Sequence, residues 1–312
     1  MNSITFAKDI HKGLSAKNKY LSSKYFYDEE GSRLFQQIME LPEYYLTDAE
    51  MSILQTKSGE IFSTLNAIKL NIIELGAGDG IKTIEFLQHL TEAQAEVTYY
   101  PIDISKEAID QLSQKVTKAL PNLPVKPLVG DYFNELGHIP SSAAKNVILF
   151  LGANIGNYTN DKAVELLKLI NANIRKGDML IIGIDLKKNP ALIASAYNDN
   201  QGVTRAFNLN LLTRINRELD GNFDMSSFDF YSTYNPDQGE IRSYLVSLKD
   251  QKVMIGFSKK QYHFAKNELI YTELSKKYNK TEINELAAKA GFTCIAQVED
   301  ELGYFADCLF EK

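Results

Sequence analysis

The stretch LNIIELGAGDGIKTIEFLQHL, residues 70–90, decides the fold of the larger part of this chain. An apolar run ends in three glycines, Gly76, Gly78 and Gly80, and an amphipathic segment follows directly. This order predicts a buried strand, a tight turn and a helix that begins at the turn. Because ligands of open α/β sheets bind at the carboxyl ends of strands, the sequence predicts a cofactor site at this turn.

The same alternation of apolar strand and amphipathic helix continues to about residue 187. VTYYPIDIS, VKPLVGDY, KNVILFLGANIG and GDMLIIGIDL are typical of strands, and most of the segments between them show helical periodicity. Near the C-terminus, a predicted helix, TEINELAAKAGF, precedes two predicted strands, TCIAQVEDE and YFADCLFEK. We therefore expect an α/β domain with a Rossmann-like, doubly wound sheet that ends in an antiparallel hairpin.

The segment from residue 188 to residue 277 has a different texture. Its first part is helical and rich in Asn, and FDFYSTYNPDQGEIRSYLVSL then alternates like two antiparallel strands around a turn at NPDQGE. The first fifty residues also stand outside the strand–helix alternation. We expect a cofactor-binding domain of residues 51–187 and 278–312, and an α+β substrate lobe of residues 1–50 and 188–277.

Composition argues against several classes of function. No apolar run reaches the roughly eighteen residues that a bilayer span requires, and the N-terminal segment lacks the apolar core of a secretory signal. The net charge is −6 without a long basic cluster, which disfavours nucleic acid as a partner. Two cysteines and four scattered histidines do not predict a metal site. We expect a cytoplasmic, monomeric protein that binds small molecules.

Acidic residues at two further strand ends indicate the type of cofactor. The glycine loop lacks the later glycine of the dinucleotide fingerprint, and no G-K-[ST] motif is present to hold a triphosphate. Asp103 ends the next strand, where a carboxylate can bind ribose hydroxyls, although this residue alone could equally be a turn acid. Asp131 and Tyr132 follow the third strand and could hold the amino group and the face of an adenine. S-adenosylmethionine (SAM), a nucleoside without a long phosphate tail, fits this set.

Several blocks of sequence are more specific than the glycine loop. They run nearly end to end and include YFYDEEGSRLF, LPEYYLT, ELGAGDGIKT, PIDIS, GDYF, FLGANIGN, AYNDNQGVTRAFN and TELSKKY. Together they resemble the SAM-dependent histidine Nα-methyltransferases of the ergothioneine pathway. The resemblance implies a methyltransferase domain and a second lobe, with an amino acid bound between them. It also assigns the cofactor pocket to Gly76, Gly78, Gly80, Lys82, Asp103, Asp131 and Tyr132.

The same resemblance implies how the backbone groups of the amino acid are bound. The amine would lie near Tyr27 and Gly152, and Tyr27 would be the residue that orients it for catalysis. The carboxylate would be bound by Asn157 and Tyr197. From the residues alone, Asn157 could instead cap the next helix, and Tyr197 could be a helix residue that faces the sheet.

The imidazole would be bound by Tyr44, Glu273 and Ser275, and one position departs from the family pattern. Where the family has a methionine beside the imidazole, this chain has Ser243, which would enlarge the pocket or add a hydrogen bond. Glu273 favours an imidazole, because a carboxylate can pair with a ring N–H.

The resulting hypothesis is methylation of the α-amino group of L-histidine, up to the trimethylated betaine hercynine, with release of S-adenosylhomocysteine (SAH) and without a metal. Two alternatives stay open. One is Nα-methylation of an aromatic amino acid or of a histidine derivative, and the other is a non-catalytic SAM-binding scaffold.

Overall fold

The computed structural model describes residues 3–76, 78, 80–103, 105–130, 132–138 and 143–312, with side chains for all of these except 132, 133 and 138. The chain divides into two compact units, a smaller one of residues 1–45 and 188–275 and a larger one of residues 46–187 and 276–312. The expected division after residue 50 falls inside a helix, Leu46–Thr56, which the structure assigns whole to the larger unit.

The elements are numbered along the chain. The helices are α1 (Ser3–Leu14), α2 (Glu29–Met39), α3 (Leu46–Thr56), α4 (Ser58–Leu65), α5 (Ile81–Glu92), α6 (Lys106–Ala119), α7 (Tyr132–Glu135), α8 (Asn160–Asn173), α9 (Pro190–Ala196), α10 (Val203–Leu219) and α11 (Lys280–Lys289). The strands are β1 (Lys69–Leu75), β2 (Glu96–Asp103), β3 (Leu128–Val129), β4 (Lys145–Phe150), β5 (Met179–Asp185), β6 (Phe228–Asn235), β7 (Glu240–Ser247), β8 (Gln251–Ile255), β9 (Lys260–Phe264), β10 (Leu269–Lys276), β11 (Thr293–Glu299) and β12 (Phe305–Glu311).

A seven-stranded sheet in the order β11-β12-β5-β4-β1-β2-β3 is the centre of the larger unit. Strands β1 to β5 are parallel to one another, whereas β12 runs antiparallel to both β5 and β11. Almost every residue of β1, β4 and β5 is buried, as is usual for parallel strands that are covered on both faces. The doubly wound sheet with a C-terminal hairpin is therefore confirmed.

The smaller unit contains a three-stranded sheet in the order β10-β7-β6 and a separate β8–β9 hairpin. Asn235 pairs with Glu240 at the end of the β6–β7 ladder, which places the turn at NPDQGE as predicted. The stretch that the sequence indicates as helical forms two helices, α9 and α10, separated by residues 197–202. The core of this unit joins side chains of α1 and α10 to the sheet residues Phe228, Leu245 and Ile270.

Several helices have a side-chain cap at their first turn, whereas α5 has none. Asp28 accepts a hydrogen bond from the Gly31 amide at the start of α2, and Asn279 and Glu282 form a reciprocal capping box at the start of α11. The cap position of α5 is Gly80, which has no side chain to accept from the first amides of the helix. An anionic or polar ligand group can take that place.

Two kinds of feature are missing from the described part of the chain. None of its helices is both long and apolar enough to cross a bilayer. Over the same residues, no three side chains of His, Cys, Asp or Glu are arranged so that they could hold a metal ion.

Candidate functional site

The glycine turn after β1 has the backbone conformation that only glycine adopts easily. Gly76, Gly78 and Gly80 have φ angles of 71°, 55° and 74°, all in the left-handed region. A Cβ atom at Gly76 or Gly78 would meet no atom of the described residues within 4 Å beyond its chain neighbours, whereas one at Gly80 would overlap Leu112 of α6. Open space therefore lies in front of the first two glycines, and the third permits close packing. The first two are the ones that a ligand can approach.

Of the two acids predicted for the cofactor, the structure describes Asp103, which lies on the strand next to β1. Asp103 is the last residue of β2, and its carboxylate accepts a hydrogen bond of 2.8 Å from the Ser105 amide. Tyr132 begins α7, but its side chain is not described, and Asp131 lies outside the described residues. The open glycine turn, the uncapped start of α5 and the acid at the end of β2 together fit the nucleoside part of SAM.

Glu74, the acid that begins the E-x-G-x-G-x-G pattern, is buried beneath the glycine turn. Its two carboxylate oxygens accept hydrogen bonds from the hydroxyls of Thr83 and Tyr99. Burial raises the pKa of Glu74 to about 7, and the two hydrogen bonds only partly offset this effect. By these hydrogen bonds, Glu74 of β1 is connected to Thr83 of α5 and to Tyr99 of β2.

A second buried carboxylate, Glu50, was not predicted from the sequence. It lies on α3, is 0% exposed, and accepts hydrogen bonds from the Gly152 amide, at 2.8 Å to Oε1 and 3.0 Å to Oε2, and from the Lys82 ammonium group. Lys82 and Gly152 are both predicted site residues, and this carboxylate connects them. The sequence does contain a signal, because Glu50 interrupts the apolar face that Leu46, Ile53 and Leu54 form on α3.

The turn after β4 carries Asn157. Gly152 has a φ of 77°, and residues 154–157 form a 3₁₀ turn in which Gly156 lies so close to the chain that its Cβ would be 2.7 Å from the Lys276 carbonyl oxygen. Asn157 is exposed, and its side chain makes no hydrogen bond with another described residue. The following helix, α8, has Thr159 at its cap position, so Asn157 does not cap it.

In the smaller unit, Tyr27 combines exposure with desolvation. Its side chain is 48% exposed and makes edge contacts with the rings of Phe35 and Phe207, with centroid distances of 5.6 and 5.8 Å. Burial nevertheless raises the pKa of Tyr27 well above its usual value, and the neighbouring Glu273 and Tyr197 add to this effect. Tyr27 is therefore accessible to solvent and lies near two other predicted substrate residues.

Four of the predicted substrate residues lie together in this unit with Tyr27. The Tyr197 hydroxyl and the Ser275 hydroxyl are 2.8 Å apart and hydrogen-bonded, and the rings of Tyr44 and Tyr197 meet edge to face at 6.2 Å. Glu273 is close enough to Tyr27 to affect its pKa. Leu269–Lys276 is extended, so Glu273 and Ser275, which are two positions apart, lie on the same face of one strand.

Ser243 is placed differently from the other predicted residues. It is 1% exposed and lies on β7 opposite Ser232 of β6, on the strand face that also carries the core residue Leu245. Its neighbour Tyr244 lies on the other face and contacts Tyr271, two residues from Glu273, at a centroid distance of 5.8 Å. By strand alternation, the structure puts Ser243 and Glu273 on opposite faces of the three-stranded sheet.

Comparison with known proteins identifies a family that matches this chain. The family model described as "Histidine-specific methyltransferase, SAM-dependent" matches residues 6–312. A histidine N-alpha-methyltransferase of Mycolicibacterium smegmatis is 34% identical over 91% of this chain and 88% of its own length. One of Mycobacterium tuberculosis is 33% identical over 99% of this chain and 95% of its own. The ergothioneine biosynthesis protein 1 of Schizosaccharomyces pombe is 28% identical over 96% of this chain, which spans 40% of that longer protein.

Proposed function

Because this chain belongs to the family of histidine-specific, SAM-dependent methyltransferases, we propose that it methylates the α-amino group of L-histidine, up to the trimethylated betaine. The observation that carries the proposal is the cluster of Tyr27, Tyr44, Tyr197, Glu273 and Ser275, which lie together in the smaller unit. A non-catalytic scaffold would not need this combination of aromatic, hydroxyl and carboxylate groups. The protein is proposed to act as a monomer in the cytoplasm.

Residues of the larger unit are proposed to hold the cofactor, which supplies a methyl group activated by a positively charged sulfur. Gly76 and Gly78 leave room for it, and the first amides of α5 lack a side-chain cap. Asp103 is suited to accept hydrogen bonds from ribose hydroxyls. By their places in the family pattern, Asp131 and Tyr132 would bind the adenine, and Gly80 and Lys82 would complete the pocket.

The amine and the carboxylate of histidine are assigned to four residues. Asn157 presents an exposed amide with no hydrogen bond to a described residue, which suits it to donate to a carboxylate, and the Tyr197 hydroxyl is the second proposed partner. The amine is assigned to the Tyr27 hydroxyl and to Gly152. Tyr44, Glu273 and Ser275 are assigned to the imidazole, with Glu273 accepting from a ring N–H.

Transfer of a methyl group requires an amine that has lost its proton. The raised pKa of Tyr27 means that its phenol stays neutral near pH 7, so it serves better as a hydrogen-bond partner than as a base. Tyr27 therefore orients the nitrogen lone pair, and water accepts the proton. The protein acts mainly by positioning and by removing water, which can account for a large share of a rate enhancement.

The alternative substrate, another aromatic amino acid or a histidine derivative, is favoured only by the small side chain of Ser243. Since Ser243 and Glu273 lie on opposite faces of their sheet, the replacement of the family's methionine by Ser243 is a weak argument for a substrate with another aromatic ring.

A mass-spectrometric assay with SAM and each free amino acid in turn tests the proposal. We expect histidine to pass through mono- and dimethylated forms to the betaine, with one SAH formed for each methyl group transferred. Conversion of tryptophan or tyrosine in preference to histidine would replace the proposed substrate. No methylation of any amino acid, by protein that binds SAM, would favour the scaffold.

A further inference from the structure

Glu50 is the centre of a buried charge network in the larger unit. Its carboxylate bonds the Lys82 ammonium group and the Gly152 amide, so one side chain of α3 holds the first turn of α5 and the end of β4. Asp307 of β12 is also 0% exposed, and neither of its oxygens has a hydrogen-bond partner among the described residues. Neither Glu50 nor Asp307 has a role in the proposed chemistry so far.

The surrounding backbone is shaped for this carboxylate. A Cβ atom at Gly183 of β5 would overlap Glu50 Oε1 and would also lie 3.1 Å from the ring of Phe305. A side chain at position 183 is therefore incompatible with the observed place of the Glu50 carboxylate. Glycine at this position leaves open the space that the buried Glu50 carboxylate occupies. Burying such a group is costly unless it is paired, as it is here with Lys82 and the Gly152 amide.

The charges of this network depend on how its members are paired. Burial is the largest single effect on the pKa of Lys82 and lowers it, but the attraction and hydrogen bond of Glu50, with smaller effects of other carboxyl groups, outweigh burial, so the pKa is raised and the ammonium group keeps its proton. Burial, with the negative charge of Glu50, raises the pKa of Asp307 well above its usual range. The carboxylate of Glu50, which is 0% exposed, forms an ion pair with the ammonium group of Lys82, whose side chain is 23% exposed.

We propose that Glu50 is the positioning residue and counter-ion of the cofactor pocket: by neutralising Lys82 and fixing Gly152, it removes a repulsion that would otherwise weaken the binding of the positively charged SAM relative to its product SAH. This rests on the proposed cofactor. SAM and SAH differ by the methyl group and by the positive charge on sulfur. An uncompensated ammonium group in the first turn after the glycine loop would repel SAM and leave SAH almost unaffected.

The expected size of the effect follows from Coulomb's law. Two like charges about 8 Å apart, at an effective dielectric constant of about 20, change a binding constant by more than tenfold. A group that only supports the backbone would weaken SAM and SAH alike. The ratio of the two dissociation constants therefore separates a charge effect from a purely structural one.

The experiment is calorimetric titration of the full chain with SAM and with SAH, without an amino acid. Glu50→Gln keeps an oxygen that can accept from the Gly152 amide and removes the charge. We expect it to weaken SAM about tenfold or more and SAH less than about threefold. The double variant Glu50→Gln/Lys82→Met should return the ratio close to that of the unmodified protein, and Asp48→Asn, on an exposed position of the same helix, should leave it unchanged.

Equal weakening of both ligands by Glu50→Gln, or a double variant that keeps the altered ratio, would overturn the proposal. Circular dichroism and thermal unfolding check that each variant folds. If Glu50→Gln does not fold, Lys82→Met alone is the test. It should change the ratio of the SAM and SAH dissociation constants in favour of SAM. An unchanged ratio would contradict the proposal. Since no amino acid is present, the result does not depend on whether histidine is the substrate.

Discussion

The two units contain polar groups of different kinds. In the larger unit, three buried carboxyl groups, Glu50, Glu74 and Asp307, lie near the ammonium group of Lys82. In the smaller unit, the predicted residues that lie together are three tyrosines, Ser275 and a single carboxylate, Glu273, and the hydrogen bond described there joins two neutral hydroxyls. Buried ions are costly unless paired, whereas aromatic rings and hydrogen-bonded hydroxyls are buried at a lower cost.

This difference matches what each unit is proposed to bind. SAM carries a fixed positive charge, and the proposed role of the Glu50–Lys82 pair is to keep the charge around it balanced. An amino acid with an aromatic ring would be held by ring contacts and hydroxyl groups, with Glu273 as the carboxylate of the proposed set. The comparison predicts that charge changes act mainly in the larger unit and hydrogen-bond changes mainly in the smaller one.

The largest expected effect tests the buried carboxyl of the larger unit. The folded protein holds the pKa of Glu74 at about 7, above its usual value of 4.5, so the folded state binds the proton more tightly than the unfolded chain. The stabilising effect of this proton is complete below about pH 4.5 and is lost as the pH rises through 7. The Glu74→Gln variant removes the titration, so its free energy of unfolding relative to wild type should rise by about 3 kcal/mol between pH 4.5 and 8.

Chemical denaturation at a series of pH values measures this difference. Glu60→Gln, which removes an exposed carboxyl of α4, is the matched control and should follow the wild-type curve. If the difference in the free energy of unfolding between Glu74→Gln and wild type is constant over the whole pH range, burial does not raise the pKa of Glu74. The contrast between the two units would then be lost.

A smaller effect is expected from Asn157, a neutral residue of the larger unit. If its amide binds the substrate carboxylate, Asn157→Ala loses a hydrogen bond to a charged group, worth about 2 kcal/mol, and KM for histidine should rise about 30-fold. Affinity for SAM should not change. Steady-state kinetics with histidine as the varied substrate measure the first, and calorimetry the second.

Asn154 is the control for this change because it belongs to the same turn. Its side chain donates to the Leu151 carbonyl oxygen at 2.7 Å, so Asn154→Ala loosens the turn without removing the proposed ligand. Lower thermal stability with a nearly normal KM is expected for it. If both variants raise KM equally, the turn is needed but Asn157 is not a direct ligand.

The smallest effect is expected from Tyr27, in the smaller unit. Tyr27→Phe keeps the ring contacts and removes one hydroxyl, which should lower kcat about tenfold while the affinity for SAM stays the same. Tyr231→Phe, which removes the hydroxyl of an exposed tyrosine on β6, is the control. Equal loss of turnover and SAM affinity in Tyr27→Phe would count against an orienting role, and it would blur the division of tasks between the units.

Local pattern made most of the fold predictable. Strand β1, the glycine turn and helix α5 follow directly from hydrophobic periodicity and from three glycines with positive φ, and the β6–β7 turn lies where NPDQGE indicated it. The end of the N-terminal segment was less predictable. Residues 46–50 belong to α3 of the larger unit, because the buried face of that helix joins a core which the sequence does not identify.

Family blocks in the sequence indicated Lys82, Gly152 and Glu273 as candidate site residues, and its place at a strand end indicated Asp103. Their partners were not predictable in the same way. Glu50 lies 32 positions from Lys82 and 102 from Gly152 along the chain, and nothing local in the sequence indicates that these three meet. Ser243 is the opposite case, since its residue type attracted attention but strand alternation turns it toward the core.

The sequence by itself determined the class of sheet, the position of the cofactor turn and the family, because these depend on periodicity, on glycine and on short motifs that act over a few residues. The tertiary structure alone decided which charges are paired, which carboxyl groups have raised pKa values and which side chains share a face. Those properties depend on burial and on distances of a few ångströms between remote segments. Electrostatic energies change steeply over such distances, so the same residues in another packing would have different chemistry.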